Sequence, residues 1–150
     1  MPRWKLAVLL VVAFAVGEMN PLGWLYWKAA EWKLPRMKVD SLAAPSPFES
    51  IPPERWLAQS EHAFLIDNTV EPEAPVHMLV VPKRRVTSLL EAPPELLGEM
   101  LVLARDAART RGIADEGFRV VINTNPRGAQ SVYHLHMHVL GGRQMRWPPG

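Results

Sequence analysis

Three of the five histidines in this 150-residue chain stand at positions 134, 136 and 138, separated by Leu135 and Met137 and followed by Val139 and Leu140. Strand side chains alternate between faces, so this spacing puts His134, His136 and His138 on one face and the aliphatic residues on the other. Neighbours on that face lie about 7 Å apart, within reach of one substrate or one hydrogen-bond chain. Two chemistries use such a row. In one, two imidazoles chelate zinc or a similar ion, with His77 or Asp67 completing the ligand set. In the other, the central imidazole, neutral near pH 7, attacks a phosphorus atom while its neighbours fix its tautomer and supply protons. The residue pattern leaves both open. Plain core histidines account for it poorly, because imidazoles buried without partners are costly.

Composition removes several other chemistries. The chain has no cysteine, which excludes disulfides, thiolate zinc sites and cysteine nucleophiles. The formal charge is +2, and its excess comes from Arg3, Lys5, Lys28, Lys33, Arg36 and Lys38, leaving the remainder close to neutral. The nearest thing to a basic patch in that remainder is Lys83-Arg84-Arg85. So short a run is not the stripe of a nucleic-acid binder, and nucleic acid is not an expected partner. Without a glycine-rich phosphate loop or a dinucleotide fingerprint, phosphate has to be held by the strand imidazoles and backbone donors.

The elements that must position the row divide the chain into residues 1–38, 39–53 and 54–150. In the first part, Arg3 and Lys5 precede an apolar run from Leu6 to Gly17. It is shorter than the roughly 20 residues that span a bilayer and has the length of a signal-peptide core. Trp24, Trp27 and Trp32, interspersed with Lys28 and Lys33, suit a membrane boundary. The expectation is a targeting or anchor segment through which residues 1–38 contact a membrane, with the following domain cytoplasmic; a cleaved signal and export is the alternative. Pro45, Pro47, Pro52 and Pro53 mark residues 39–53 as an extended linker and approach to the domain.

Within residues 54–150, Ala63 to Ile66 and His77 to Val81 read as strands. A helix starts at Pro94, carries apolar residues at helical spacing and stops at Gly112. Phe118 to Asn123 and Ser131 to Leu140 read as further strands, the second closed by Gly141 and Gly142. Strands, one long helix and more strands predict an α+β domain with a largely antiparallel sheet.

The stretch from Ala129 to Gly150, AQSVYHLHMHVLGGRQMRWPPG, resembles the C-terminus of the Hint branch of the histidine-triad (HIT) superfamily. His-x-His-x-His followed by two apolar residues is the superfamily's signature, and Gln130-Ser131-Val132-Tyr133 and Trp147-Pro148-Pro149-Gly150 are typical of the branch. The similarity runs upstream to about Phe48. It implies a HIT-like fold and a nucleotide hydrolase acting on purine nucleoside 5′-phosphoramidates without a cofactor or metal. His136 would attack the α-phosphorus and form a nucleotidyl-histidine. His134 and His138 would orient it and contact phosphate, Ser131 would help protonate the leaving group, and His77 would hold a tautomer. Asp67 would bind ribose hydroxyls, Asn123 and Gln130 would lie along the nucleotide, and Phe64, Leu65 or Ile66 would wall the base pocket. The resemblance also implies a homodimer with a purine nucleotide as substrate.

Alternatives on the same scaffold are dinucleoside polyphosphate hydrolysis, nucleotidyl transfer, and nucleotide binding without catalysis. Three departures stand out, one being that Arg127, Gly128 and Ala129 replace a more glycine-rich loop, which leaves the leaving-group specificity open. Arg85 occupies a position where many relatives carry histidine, and is expected to be dispensable. Ser46-Pro47-Phe48-Glu49 replaces the Cys-Pro-Phe-Cys of some relatives, which removes their thiolate zinc site.

Overall fold

The computed structural model describes residues 21–70 and 72–146. Among them, five strands form one antiparallel sheet in the order β1-β2-β3-β5-β4. They are β1 (Ala58–Gln59), β2 (Ala63–Asp67), β3 (Val76–Pro82), β4 (Arg119–Val121) and β5 (Met137–Gly141). Period-two alternation sorts the side chains into two layers. Ala63, Leu65, Met78, Val80, Leu135, Met137 and Val139 face helix α2 (Pro94–Thr110), where they meet Leu96, Met100, Leu103 and Ala104. Phe64, Ile66, Leu79 and Val81 face the other way and pack with Phe48, Ile51 and Trp56.

Helix α2 begins and ends as its sequence predicts. Pro94 occupies the first turn, where its missing N–H costs nothing, and Glu95 sits at the positive end of the dipole. At the other end Gly112 adopts φ +69°. The Gly112 N–H donates to the Arg109 carbonyl at 3.1 Å and the Ile113 N–H to the Ala108 carbonyl at 3.0 Å. This paired closure needs a left-handed residue, which glycine supplies without steric cost.

The described residues correct the sequence reading in two places. First, α2 is not the sole long helix: α1 (Pro21–Ala43) precedes it, carries Pro35 in its interior, and continues through Val39–Ala43, residues assigned above to an extended linker. The stretch is rich in Leu, Ala, Lys, Arg and Met, strong helix formers, and its last turn is docked on the domain, which offsets the proline. Second, β5 begins at Met137 rather than Ser131, and β4 spans only Arg119–Val121. Residues 131–136, which bend at Val132–His134, take other partners. The Leu135 N–H donates to the Val86 carbonyl at 2.6 Å, and the Tyr133 N–H to the Ser41 hydroxyl at 2.8 Å. Among the described residues no helix is long and apolar enough to cross a membrane. The run from Leu6 to Gly17 and the tail Trp147–Gly150 lie outside the described residues.

Gly141 ends β5 where the backbone meets Ile113, the first residue beyond the α2 closure. A methyl group there would come within 2.5 Å of Ile113 Cδ1. Gly141→Ala is therefore expected to cost about 1–3 kcal/mol from overpacking, read by urea denaturation. Adding Ile113→Val, which removes that terminal methyl, should recover part of the loss; strictly additive losses would contradict the contact.

Candidate active site

Leu135, Met137 and Val139 are fully buried on the helix side of the sheet, and they fix the opposite direction for His134, His136 and His138. His77 joins them from β3, since His77 pairs with Leu140 and Leu79 with His138 across the ladder. Ring centroids are 5.0 Å apart for His136 and His138 and 5.1 Å apart for His138 and His77. Four imidazoles thus share one sheet face, and their hydrogen bonds determine where each proton sits.

Nδ1 of His136 lies 2.8 Å from the carbonyl oxygen of His134. A carbonyl only accepts, so Nδ1 carries the proton and Nε2 keeps the lone pair. Nδ1 of His77 accepts from the Glu73 N–H at 3.0 Å and the Asn68 amide at 3.1 Å. The proton of His77 is therefore on Nε2, which donates to Nδ1 of His138 at 2.8 Å. That leaves His138 protonated at Nε2, a buried atom with no partner among the described residues. One imidazole presents a lone pair and its neighbour an unused N–H. A metal would have to displace these bonds, and Asp67, the other ligand considered, is paired with Arg111.

His134 is different. Its Nε2–H donates to the Pro82 carbonyl at 2.9 Å and its Nδ1 accepts from the Ser46 hydroxyl at 2.8 Å. Both nitrogens are occupied and the ring is 1% exposed, so its contribution to the row is its backbone carbonyl. The Phe48 ring packs against both His134 and His136, with centroids at 5.6 and 5.3 Å. Phe48 also lines a pocket of about 540 Å³ with Ile51, Trp56, Ile66 and Leu79, where Asp67 and Asn68 are among the polar members.

The other expected site residues fall as follows. Asp67 is half exposed at this pocket and Ile66 is in its wall. Phe64 lies behind Trp56, stacked at 4.5 Å, and Leu65 points into the helix-side core. Gln130, 1% exposed, uses its whole amide internally. It donates to the Thr87 and Val132 carbonyls at 2.8 and 3.1 Å and accepts from the Asn125 N–H at 2.9 Å. Gln130 thus braces the loop before the row. Ser131 is exposed just ahead of the row, and Asn123 is half-buried just after β4. Sequence reasoning did not find the bonding roles of Ser46, Asn68 and the Glu73 N–H, nor the packing of Phe48. Ser46 and Phe48 belong to the motif singled out for its missing cysteines, but nothing local reveals that residue 46 reaches residue 134.

With this geometry established, comparison with known proteins is direct. Residues 52–145 match the HIT domain family. The chain belongs to that family. This HIT protein is 54% identical over 84 residues to an uncharacterized HIT-like protein of Synechococcus elongatus, a match covering 54% of the chain and 73% of the relative. It is 50% identical over 86 residues to adenylylsulfatase HINT1 of Arabidopsis thaliana, covering 54% of the chain and 58% of that relative, little more than half its length. Among solved structures, a HIT family hydrolase from Legionella pneumophila superposes with a TM-score of 0.60 at 32% identity, covering 76% of this HIT protein and 96% of the other chain.

Burial lowers the pKa of His77, His134 and His136 below the ordinary histidine value. His138 is pushed down to about 4, by burial first and then by His136 and His77. The row is therefore neutral at pH 7. Unfolded histidines take up protons near pH 6.5, so the unfolded chain binds more protons than the folded one below that value. Stability should hold above about pH 6.5 and fall as pH drops toward 4. His62, whose pKa is raised by Glu99, has the opposite sign but acts above this window. Denaturation midpoints across the range test this, and a flat profile would refute it.

Proposed function

We propose that this HIT protein is a nucleotide hydrolase that cleaves the P–N bond of purine nucleoside 5′-phosphoramidates through a nucleotidyl-histidine at His136. The observation that carries the reading is the bond from His136 Nδ1–H to the His134 carbonyl, which leaves Nε2 as a buried, neutral, nucleophilic lone pair. In the first step Nε2 attacks the α-phosphorus and the P–N bond to the leaving amine breaks. That amine departs with its electron pair and takes a proton, for which Ser131 is the relay; an unprotonated amine leaves poorly. His138 Nε2–H, which lacks a partner among the described residues, finds its acceptor in a phosphate oxygen and stabilises charge developing there. In the second step water attacks phosphorus, the bond to Nε2 breaks, and the nucleoside monophosphate leaves with the histidine restored.

The apolar pocket beside the row suits a base, with Ile66, Ile51 and Phe48 as its walls and Asp67 as acceptor for ribose hydroxyls. In this reading Asn123 and Gln130 flank the phosphate side, Gln130 by bracing the loop. The family match over residues 52–145 supports residues 54–150 as the catalytic domain. The Arabidopsis relative's name, adenylylsulfatase, supports adenylyl as the transferred group and makes sulfate a second leaving group to test. A homodimer is part of the proposal. Leu101 and Val102 are about half exposed on α2, and β4 is an edge strand. Membrane contact through residues 1–38 is supported by the exposure of Leu25 and Trp32 on α1.

The test is incubation of the full chain with adenosine 5′-phosphoramidate, adenosine 5′-phosphosulfate and a diadenosine polyphosphate, with and without EDTA. The expected result is chelator-resistant AMP release from the phosphoramidate, an adenylylated His136 peptide on quenching, and a loss of at least about 10³-fold in His136→Ala. Asp67→Asn should raise KM roughly tenfold, on the scale of one charge-assisted hydrogen bond. Release from the other substrates alone would change the leaving group. No release and no adduct would replace hydrolysis with nucleotide binding.

A further inference from the structure

Helix α1 lies outside the stretch matched to the HIT domain, yet its last two turns are bonded to the segment that delivers the nucleophile. Lys38 Nζ donates to the Asn125 side-chain oxygen at 3.1 Å and sits 5.2 Å from the centre of the Tyr133 ring. The Ser41 hydroxyl accepts from the Tyr133 N–H at 2.8 Å. Just beyond the helix, the Ser46 hydroxyl bonds His134 at 2.8 Å. Residues 38, 41 and 46 therefore meet residues 125, 133 and 134 in order along the chain.

Arg85 closes the arrangement. Its Nε donates to the Tyr133 carbonyl at 3.0 Å, Nη1 to the Ala44 carbonyl at 2.9 Å and Nη2 to the Ser41 carbonyl at 2.6 Å. Two of those acceptors are at the helix C-terminus, where carbonyls lack partners within the helix and a cation is favourable. The third belongs to the residue before His134. A guanidinium offers five donors in a fixed fork and can serve three carbonyls at once; a histidine ring, with two nitrogens, cannot. Arg85, expected from sequence to be dispensable, is fully engaged.

The segment so held needs holding. Asn125 adopts φ +62° with ψ 173°, and Ala129 φ +58°. The first is a conformation that residues with a side chain adopt only when their surroundings impose it. Besides Lys38, Asn125 is held through its N–H by Gln130. The loop runs through Ser131, the side from which a leaving group departs in the proposed reaction.

We propose that the C-terminal turns of α1, clasped by Arg85, are a positioning element that fixes the loop Asn125–Tyr133 and thereby sets selectivity among leaving groups. Arg85 and Ser41 are positioning residues in this scheme: they touch neither nucleophile nor substrate. The selectivity part rests on the hydrolase reading, whereas the clasp itself does not.

The experiment compares full-length wild type with Arg85→Ala, Arg85→Lys and the milder Ser41→Ala, which covers the case in which Arg85→Ala does not fold. Amide hydrogen exchange at residues 125–133 should quicken at least tenfold in Arg85→Ala and Ser41→Ala, with β2 and β3 unchanged. Arg85→Lys should fall between, because an ammonium cannot span three carbonyls. Across adenosine phosphoramidates with amines of graded basicity, kcat/KM should fall most for the most basic, poorest leaving group, while AMP affinity stays within twofold. Unchanged exchange would overturn the clasp. Faster exchange with a uniform loss across the series would overturn the selectivity role. If wild type releases AMP from no substrate, the hydrolase reading and the selectivity role fall together, and the exchange data still decide the clasp.

Discussion

The chemistry available to this protein depends on one hydrogen bond, from His136 Nδ1–H to the carbonyl of His134 two residues back along its own chain. An imidazole free to choose its tautomer would present lone pair and proton to the pocket by turns. Tied to a backbone acceptor, it presents only the lone pair at Nε2. In the proposed reaction the bond would also remain useful as Nε2 bonds to phosphorus and the ring becomes cationic, because a carbonyl oxygen attracts Nδ1–H more strongly as the ring gains charge. The carbonyl can do this only while the backbone from His134 to His136 keeps its present course, and much of the surrounding structure serves that requirement.

That course is enforced from both sides of the sheet. Below, Leu135, Met137 and Val139 are inserted between β3 and α2 and cannot rotate toward the pocket without exposing apolar surface. Above, His134 is pinned at both ring nitrogens by Ser46 and Pro82. The relay from Glu73 and Asn68 through His77 to His138 applies the same logic to the second functional atom, fixing a donor where the first fixes an acceptor. Burial lowers the pKa of all four rings, so neither tautomer assignment is undone by protonation near neutral pH.

The face of the row, the helix after Pro94 and the HIT family were legible from sequence because they rest on local regularities: period two, helical spacing and a compact motif. The start of β5 was not. Its alternation reaches back to His134, but pairing depends on which backbone lies alongside, and there Val86 and Ser41 take the place of a ladder partner. Helix α1 was misread across Val39–Ala43 because the prolines that follow resemble a linker, while the contacts that stabilise its end come from Arg85, Asn125 and Tyr133, far along the chain. Gln130 shows a subtler limit. The resemblance marks it as part of the site, but only its three internal hydrogen bonds reveal a brace.

The two sides of the candidate site are built from different materials, and this bears on how such a fold varies in use. The proposed nucleophile, His136, stands immediately before β5, flanked by the core residues Leu135 and Met137, so its geometry can change only with the packing of the whole domain. The opposite side is a loop with two backbone positions at positive φ, stabilised by polar contacts from Gln130, Lys38 and the Arg85 clasp. Segments held by a few polar contacts open locally at lower free energy than core strands. In the proposed reaction a rigid nucleophile would keep the attack on phosphorus constant, while a loop held by replaceable side chains would let the departing group be chosen by substitutions that leave the core untouched. The residues that set the chemistry and those that set its selectivity can therefore change independently, and in this chain the second set extends into a helix beyond the HIT domain.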